Sequence, residues 1–233
     1  MRTVCNKMLA VHIPDGFIDL PTSAAFAGVS AIAVAGAVKG ARGQLSEQSA
    51  PLAGLTAVFI FAVQMLNFPV AAGTSGHLIG AALAMVLVGP YAATLALVVV
   101  LIIQAFLFAD GGLTALGLSI FNMAVISVWV SFALFMLLKK ILPKTKSWLV
   151  VATFVSALIS VPAAAVGFVI QYAIGANATF SVGAVLNAMV GTHILIGIGE
   201  AIITALTVSA VLASRSDLVF GWDKKNATLE IRG

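Results

Sequence analysis

Apolar runs separated by short polar breaks set the pattern of this chain. Seven runs approach or exceed the roughly 17–25 residues that a helix needs to cross lipid. They lie at about 22–42, 50–67, 76–91, 92–109, 113–138, 147–173 and 184–214. The polar breaks fall at Gly43 to Ser49, Asn67 to Gly76, Asp110 to Gly112, Lys139 to Lys146 and Gly175 to Ser181. Gly89-Pro90-Tyr91 separates the third run from the fourth only weakly, so hydropathy alone also allows six. Each run is expected to be helical, because an open strand in lipid leaves its backbone groups unpaired.

Composition turns this pattern into a membrane assignment. Hydrophobic residues make up 61% of the 233 and charged residues 9%, against roughly 45–50% and about 25% in soluble domains. The expectation is an all-α integral membrane protein, a single bundle with no second soluble domain.

Charge then chooses between six and seven helices. Lys39 and Arg42 follow the first run, Lys139, Lys140, Lys144 and Lys146 the fifth, and Arg215, Lys224, Lys225 and Arg232 the seventh. The loops after the second, fourth and sixth runs carry no Lys or Arg. Seven helices put every one of these clusters on one side, which six would not. The positive-inside rule then places the N-terminus outside and the C-terminus in the cytoplasm. The net charge of +4 is thereby explained by cytoplasmic loops, and a nucleic-acid partner is not expected. Arg2 and Lys7 are the exceptions, being basic residues on the outer side. No signal peptide is expected, since no apolar core of adequate length precedes Asp15. The lone Cys5 can form no disulfide within the chain and is too isolated for a cysteine-based metal site.

On the first helix, Ala27, Ala31 and Ala35 recur at four-residue spacing and form a face that another helix can approach closely. Packing within the bundle and docking of a separate subunit both fit such a face.

The chemistry-bearing residues are few. The three histidines are His12 before the first helix, His77 at the outer end of the third, and His193 in the outer part of the seventh. All three fall toward one side, and imidazole suits nickel, cobalt, copper and zinc. Glu200 follows His193 by seven residues, hence on nearly the same helix face. A carboxylate in a membrane usually faces the bundle interior, where this pair could serve a hydrogen-bond network or ion passage. In His12-Ile13-Pro14-Asp15-Gly16-Phe17, Pro14 biases Ile13 toward an extended shape and Asp15-Gly16 favours a tight turn. With a helix start at Pro21-Thr22-Ser23, this segment could fold back into the bundle as a plug.

Two rival functions fit parts of the same inventory. Gly73-Thr74-Ser75-Gly76 matches the GxSG pattern of rhomboid-like intramembrane serine proteases, with His193 as base, but it lies in a loop and lacks an oxyanion-hole candidate. Glu200 and His193 could form the proton relay of a self-sufficient secondary transporter, but the inverted repeats common in such proteins are missing. No GxxxxGK[ST] loop occurs, so ATP is not bound in the P-loop manner.

The His12–Phe17 motif and its Pro-Thr helix start resemble the amino terminus of the CbiM/NikM family, the substrate-capturing S components of energy-coupling-factor transporters for cobalt and nickel. Also similar are Asn67-Phe68-Pro69-Val70 leading into Gly73-Thr74-Ser75-Gly76-His77-Leu78-Ile79-Gly80, and Thr192-His193-Ile194-Leu195-Ile196-Gly197 with Gly199-Glu200-Ala201. The resemblance runs from Val11 into the seventh helix. It implies a non-catalytic subunit in the cell inner (plasma) membrane, with seven helices and the N-terminus outside. Its implied partners are a transmembrane coupling (T) subunit, two ATPases and a small accessory membrane subunit. Its implied cargo is Ni(II) or Co(II), with cobalamin biosynthesis as the setting for cobalt. The Ile13-Pro14-Asp15 version is closer to nickel-type members than to cobalt ones, which have Met-Glu there.

The family's metal ligands carry over as a terminal amine at position 11, the backbone nitrogen and one ring nitrogen of His12, and a ring nitrogen of His77. Four nitrogens in a plane suit Ni(II). The glycines around His77 would let its backbone approach the plug. Asp15, Asn67, Ser75, His193 and Glu200 stand in the matching motifs as candidates for supporting the ligands or gating access. Here position 11 is Val and ten residues precede it, so the chain as written has no free amine there. A misplaced start explains this, since a GTG codon reads as Val internally and as Met when it initiates. Residues 1–10 are then a non-native or misassigned extension, 11–214 the transmembrane metal-binding domain and 215–233 a short cytoplasmic tail.

Overall fold

A computed structural model of the protein describes residues 12–44, 49–65, 68–71 and 74–222, with backbone alone for 44, 49, 68–71 and 74–76. Positions 1–10, Val11, Asn67 and 223–233 lie outside the described residues. The helices are α1 (Leu20–Gln44), α2 (Ser49–Gln64), α3 (Ala81–Val88), α4 (Pro90–Leu107), α5 (Leu116–Ile141), α6 (Lys146–Gly175) and α7 (Val182–Ser214). Five of them, α1, α4, α5, α6 and α7, are long and apolar enough to cross a membrane, and α2 is a shorter apolar helix. This is a helical membrane bundle.

The third run departs from expectation. Instead of a spanning helix over 76–91, its helical part is the eight residues of α3, which rise only about 12 Å. Upstream, β1 (Phe68–Ala71) and β2 (Thr74–Gly76) pair as an antiparallel ribbon, with Pro69 opposite Ser75. Residues 77–80 then run without regular structure into α3, through Gly80 in the left-handed region at φ 77°. Gly89 and Pro90 close α3 and open α4. Short as it is, α3 forms the buried axis of the bundle: Ala81, Ala82, Ala84, Met85 and Val86 are fully enclosed.

The long helices assemble around this axis through small residues and polar caps. Asp19 caps α1, its Oδ1 accepting the Thr22 N–H at 2.8 Å, with Pro21 in the first turn where a missing N–H costs nothing. Ala27 packs against Gly117 of α5, and the Ser30 hydroxyl donates to the Gly117 carbonyl at 2.7 Å. The small-residue face of α1 thus meets α5 at Ala27, yet Ala27, Ala31 and Ala35 all remain exposed. The most extensive pairing joins α6 to α7. Pro162 cannot donate to the carbonyl of Leu158, and Gly197 of α7 lies against that carbonyl, where a side chain would collide with it. In α5, a π-helical stretch over Ile120–Ile126 carries Asn122, whose amide donates to Gln171 of α6 at 2.8 Å.

The two ends of the bundle differ in chemistry. Gly40 lies against Tyr91, Phe220 N–H donates to the Val86 carbonyl at 2.8 Å, Gly221 lies against Phe135, and Lys146 stands 6.0 Å from the Trp222 ring. These contacts bring Lys39, Arg42, Lys139, Lys140, Lys144, Lys146 and Arg215 to one end. The opposite end holds the segment 12–19 and the connections 108–115 and 176–181.

Candidate metal-binding site

The segment 12–19 is fastened to two connections. Gly112 N–H donates to Ile13 O at 2.9 Å, and Asp15 Oδ1 accepts from Thr114 N–H at 2.8 Å and from its hydroxyl at 2.6 Å. On the other side, the Asn177 side chain donates to Gly16 O at 3.1 Å, Asn177 N–H to Phe17 O at 3.1 Å, and Asp19 N–H to Gly175 O at 2.7 Å. Phe17, Phe168 and Tyr172 form a triangle of rings, Phe17 stacking on Phe168 at 6.0 Å and tilting against Tyr172 at 5.6 Å, and Ile18 is buried beside them. The expected turn is present, Phe17 N–H donating to Pro14 O at 3.3 Å.

Among the described residues, the glycines that bring backbone close to this segment are Gly111 and Gly112, while Gly73 lies outside the described residues. Gly111, at φ 98°, lies against the Cβ of His12, and Gly112 lies against the backbone of Asp15. A side chain at either position would push the segment out. Gly80 instead meets Ile60 of α2.

Folded in this way, the segment sets the His12 ring 4.9 Å from that of His77, centroid to centroid, at an interplanar angle of 55°. Both residues are only 7% exposed. His77 Nδ1 lies 2.8 Å from Leu78 O. A carbonyl can only accept, so Nδ1 carries the proton and Nε2 keeps its lone pair. His12 Nε2 is buried without a hydrogen-bond partner, 3.7 Å from Asp110 Oδ2. Burial pulls the His12 imidazole down to about 4, so at neutral pH it is uncharged, as a metal ligand must be. Among the described residues, no three His, Cys, Asp or Glu side chains converge on a metal-sized space. A site here would be completed by backbone or terminal nitrogens.

Polar side chains from three helices hold up the floor of the pair. Glu200 of α7, 2% exposed, accepts Ile79 N–H at 2.6 Å and Gly80 N–H at 3.1 Å. Gln64 of α2 donates to Ile79 O at 2.7 Å and accepts from Gln104 of α4 at 2.9 Å. Gln104 also lies within side-chain hydrogen-bonding reach of His12.

The pairing of Glu200 with His193 is not what the structure contains. His193, half-buried, bonds through Nδ1 to Met189 O of its own helix at 2.7 Å, while Glu200 engages the chain just before α3. His193 nonetheless stands within electrostatic reach of His77, together with Asp110. Sequence reasoning missed Gln64, Gln104, Asp110, Thr114 and Asn177. The two glutamines carried a usable signal, since each is an uncharged polar residue inside an apolar run, where unpaired polar groups are costly.

Comparison with known proteins agrees with this architecture. The family model described as cobalt uptake substrate-specific transmembrane region, CbiM, matches residues 12–218. A protein of Archaeoglobus fulgidus provisionally named as a fused nickel transport protein is 37% identical over 209 residues, covering 90% of this chain and 68% of its own. The cobalt transport protein CbiM of Sorangium cellulosum is 31% identical over 217 residues, covering 90% and 94%. The crystal structure of a truncated transition metal transporter superposes with a TM-score of 0.79 at 30% identity, covering 87% of this chain and 98% of that one. The protein is therefore a member of the CbiM family of substrate-specific transmembrane regions.

Proposed function

We propose that this protein captures Ni(II) or Co(II) on the extracytoplasmic side of the cell inner membrane, as the substrate-specific subunit of an ATP-driven importer of the energy-coupling-factor type. One observation carries the reading: His12 and His77, two of the chain's three histidines, lie ring beside ring in the bundle interior. His77 offers Nε2, because Leu78 O occupies the proton on Nδ1. His12 offers Nδ1 and its backbone nitrogen, with Nε2 turned toward Asp110. An amine at position 11 completes four nitrogens through five- and six-membered chelate rings, a set that favours the tetragonal preference of Ni(II).

In this reading the chain crosses the membrane seven times, with α3 and the stretch before it forming the third pass. The basic end of the bundle faces the cytoplasm, and segment 12–19 plugs the outer face. Residues 11–214 form the metal-binding domain, 1–10 a misassigned extension and 215–233 a cytoplasmic tail. The subunit is non-catalytic. A coupling subunit, two ATPases and a small accessory membrane protein supply energy and movement, with exposed Ala27, Ala31 and Ala35 on α1 available for contact. Titration calorimetry on the purified protein tests the core of the proposal: one Ni(II) or Co(II) per chain is expected, and absence of binding to a chain beginning at position 11 overturns it.

A further inference from the structure

Resting on the metal-capture reading above, we infer that Glu200 is a positioning residue for His77. The backbone of Ile79 is gripped from both sides: Glu200 Oε2 accepts its N–H at 2.6 Å, and the Gln64 side-chain amide donates to its carbonyl at 2.7 Å. Glu200 Oε1 takes the next N–H, that of Gly80, at 3.1 Å. Those N–H groups stand at the start of α3, where a helix has donors without internal acceptors. His77 lies two residues upstream, and its own ring is tied to Leu78 O inside the same stretch. The orientation of the imidazole is therefore set by a segment whose position α7 and α2 dictate.

A carboxylate is the group this geometry requires. Both of its oxygens accept, so it can answer two consecutive N–H groups at once, whereas a carboxamide would turn its own N–H toward one of them. The link also ties the metal seat to the helix that makes the most extensive contact in the fold, with α6.

Glu200→Gln in the chain that begins at position 11 with Val11→Met, purified in detergent, tests the role. Ni(II) affinity is expected to fall roughly 10–100-fold, the usual consequence of losing a residue that orients a ligand. The absorption band of the Ni(II)-saturated protein is expected to shift, while the elution profile and unfolding temperature of the apo protein stay near those of the parent. Gln64→Met, which releases the other side of Ile79, should move affinity and band in the same direction and serves as the readout if Glu200→Gln fails to fold. Unchanged affinity, or weaker binding with the parent band at saturation, overturns the inference. His77→Ala is the separate control. If it leaves Ni(II) binding intact, the metal-site reading fails. If it removes binding while Glu200→Gln and Gln64→Met do not, only the positioning role fails.

Discussion

Asp15 and Thr114 are joined twice, a single carboxylate oxygen accepting both the backbone N–H and the hydroxyl of the threonine. Asp15 belongs to the segment that delivers His12, and Thr114 to the connection between α4 and α5. The pair acts as a clasp at the exposed rim, where the segment would have to lift first. Asp15→Ala removes two charge-assisted bonds worth about 1.5 kcal/mol together at an exposed site. The expected result is a roughly tenfold faster loss of bound Ni(II) in a chelator chase, with the bundle still folded. An unchanged rate would mean that the segment does not need to lift for the ion to leave.

His77→Ala is expected to abolish high-affinity Ni(II) and Co(II) binding without loss of membrane expression. It removes one imidazole from a packed interior and leaves the Glu200 and Gln64 bonds to Ile79 backbone atoms in place. Calorimetry decides the matter, and wild-type affinity in the variant would discard the assignment of this histidine.

Acid should loosen segment 12–19. His12 is neutral when seated, its pKa drawn by burial from 6.5 to about 4, but it takes up a proton near 6.5 once released. Between these values the released state binds more protons, so seating is favoured fully above about pH 6.5 and progressively less as pH falls toward 4. The gap sets an upper bound of about 3 kcal/mol on the effect. Protection against hydrogen exchange over residues 12–19 of the apo protein, referenced to the intrinsic rate at each pH, should fall from pH 7.5 to pH 5, and His12→Phe should flatten that fall. Equal protection at both pH values in the parent would contradict the burial of a neutral imidazole.

Uptake by this chain alone should stay near background. No GxxxxGK[ST] loop is present, and Glu200 is engaged with the backbone of Ile79 and Gly80 rather than with His193. Radiolabelled nickel accumulation in a host without the coupling subunit and ATPases provides the check. Robust accumulation that collapses with the proton gradient would favour a self-sufficient transporter.

Much of this could be read from the sequence, for reasons that differ by element. Long apolar runs specify α1, α4, α5, α6 and α7 because lipid allows such runs little else. The third run was misjudged because hydropathy cannot distinguish a spanning helix from an equally apolar stretch that is half extended and wholly enclosed by protein. Gly80 and Gly89-Pro90 were the available punctuation. The His12–His77 contact was legible through its motifs. The partner of Glu200 was not, since helical periodicity pairs it with His193 and says nothing about a backbone donor 121 residues away. Tertiary bonds to main-chain groups leave no mark on the residue types that provide the donors.

The start of the working protein is a further expectation. A chain beginning at position 11 with an initiator methionine would place a free amine beside His12 and remove Arg2 and Lys7. Two versions should be compared, one starting at Met1 and the other at Val11→Met, with intact mass confirming each terminus. The shorter should bind Ni(II) far more tightly. If the longer keeps its extension and binds equally well, the amine is not a ligand, and His193 becomes the first replacement to examine.

The brevity of α3 has one more implication. An ion resting beside His77 has beneath it eight residues, Ala81 to Val88, all apolar and nearly all fully enclosed. They form a dielectric barrier about 12 Å thick, and a divalent charge forced through it would lose its solvation with nothing from α3 in exchange. On the proposed site, the seat is a blind vestibule along the axis of α3. Delivery to the basic end is then expected to involve movement of this short helix rather than passage of the ion along it.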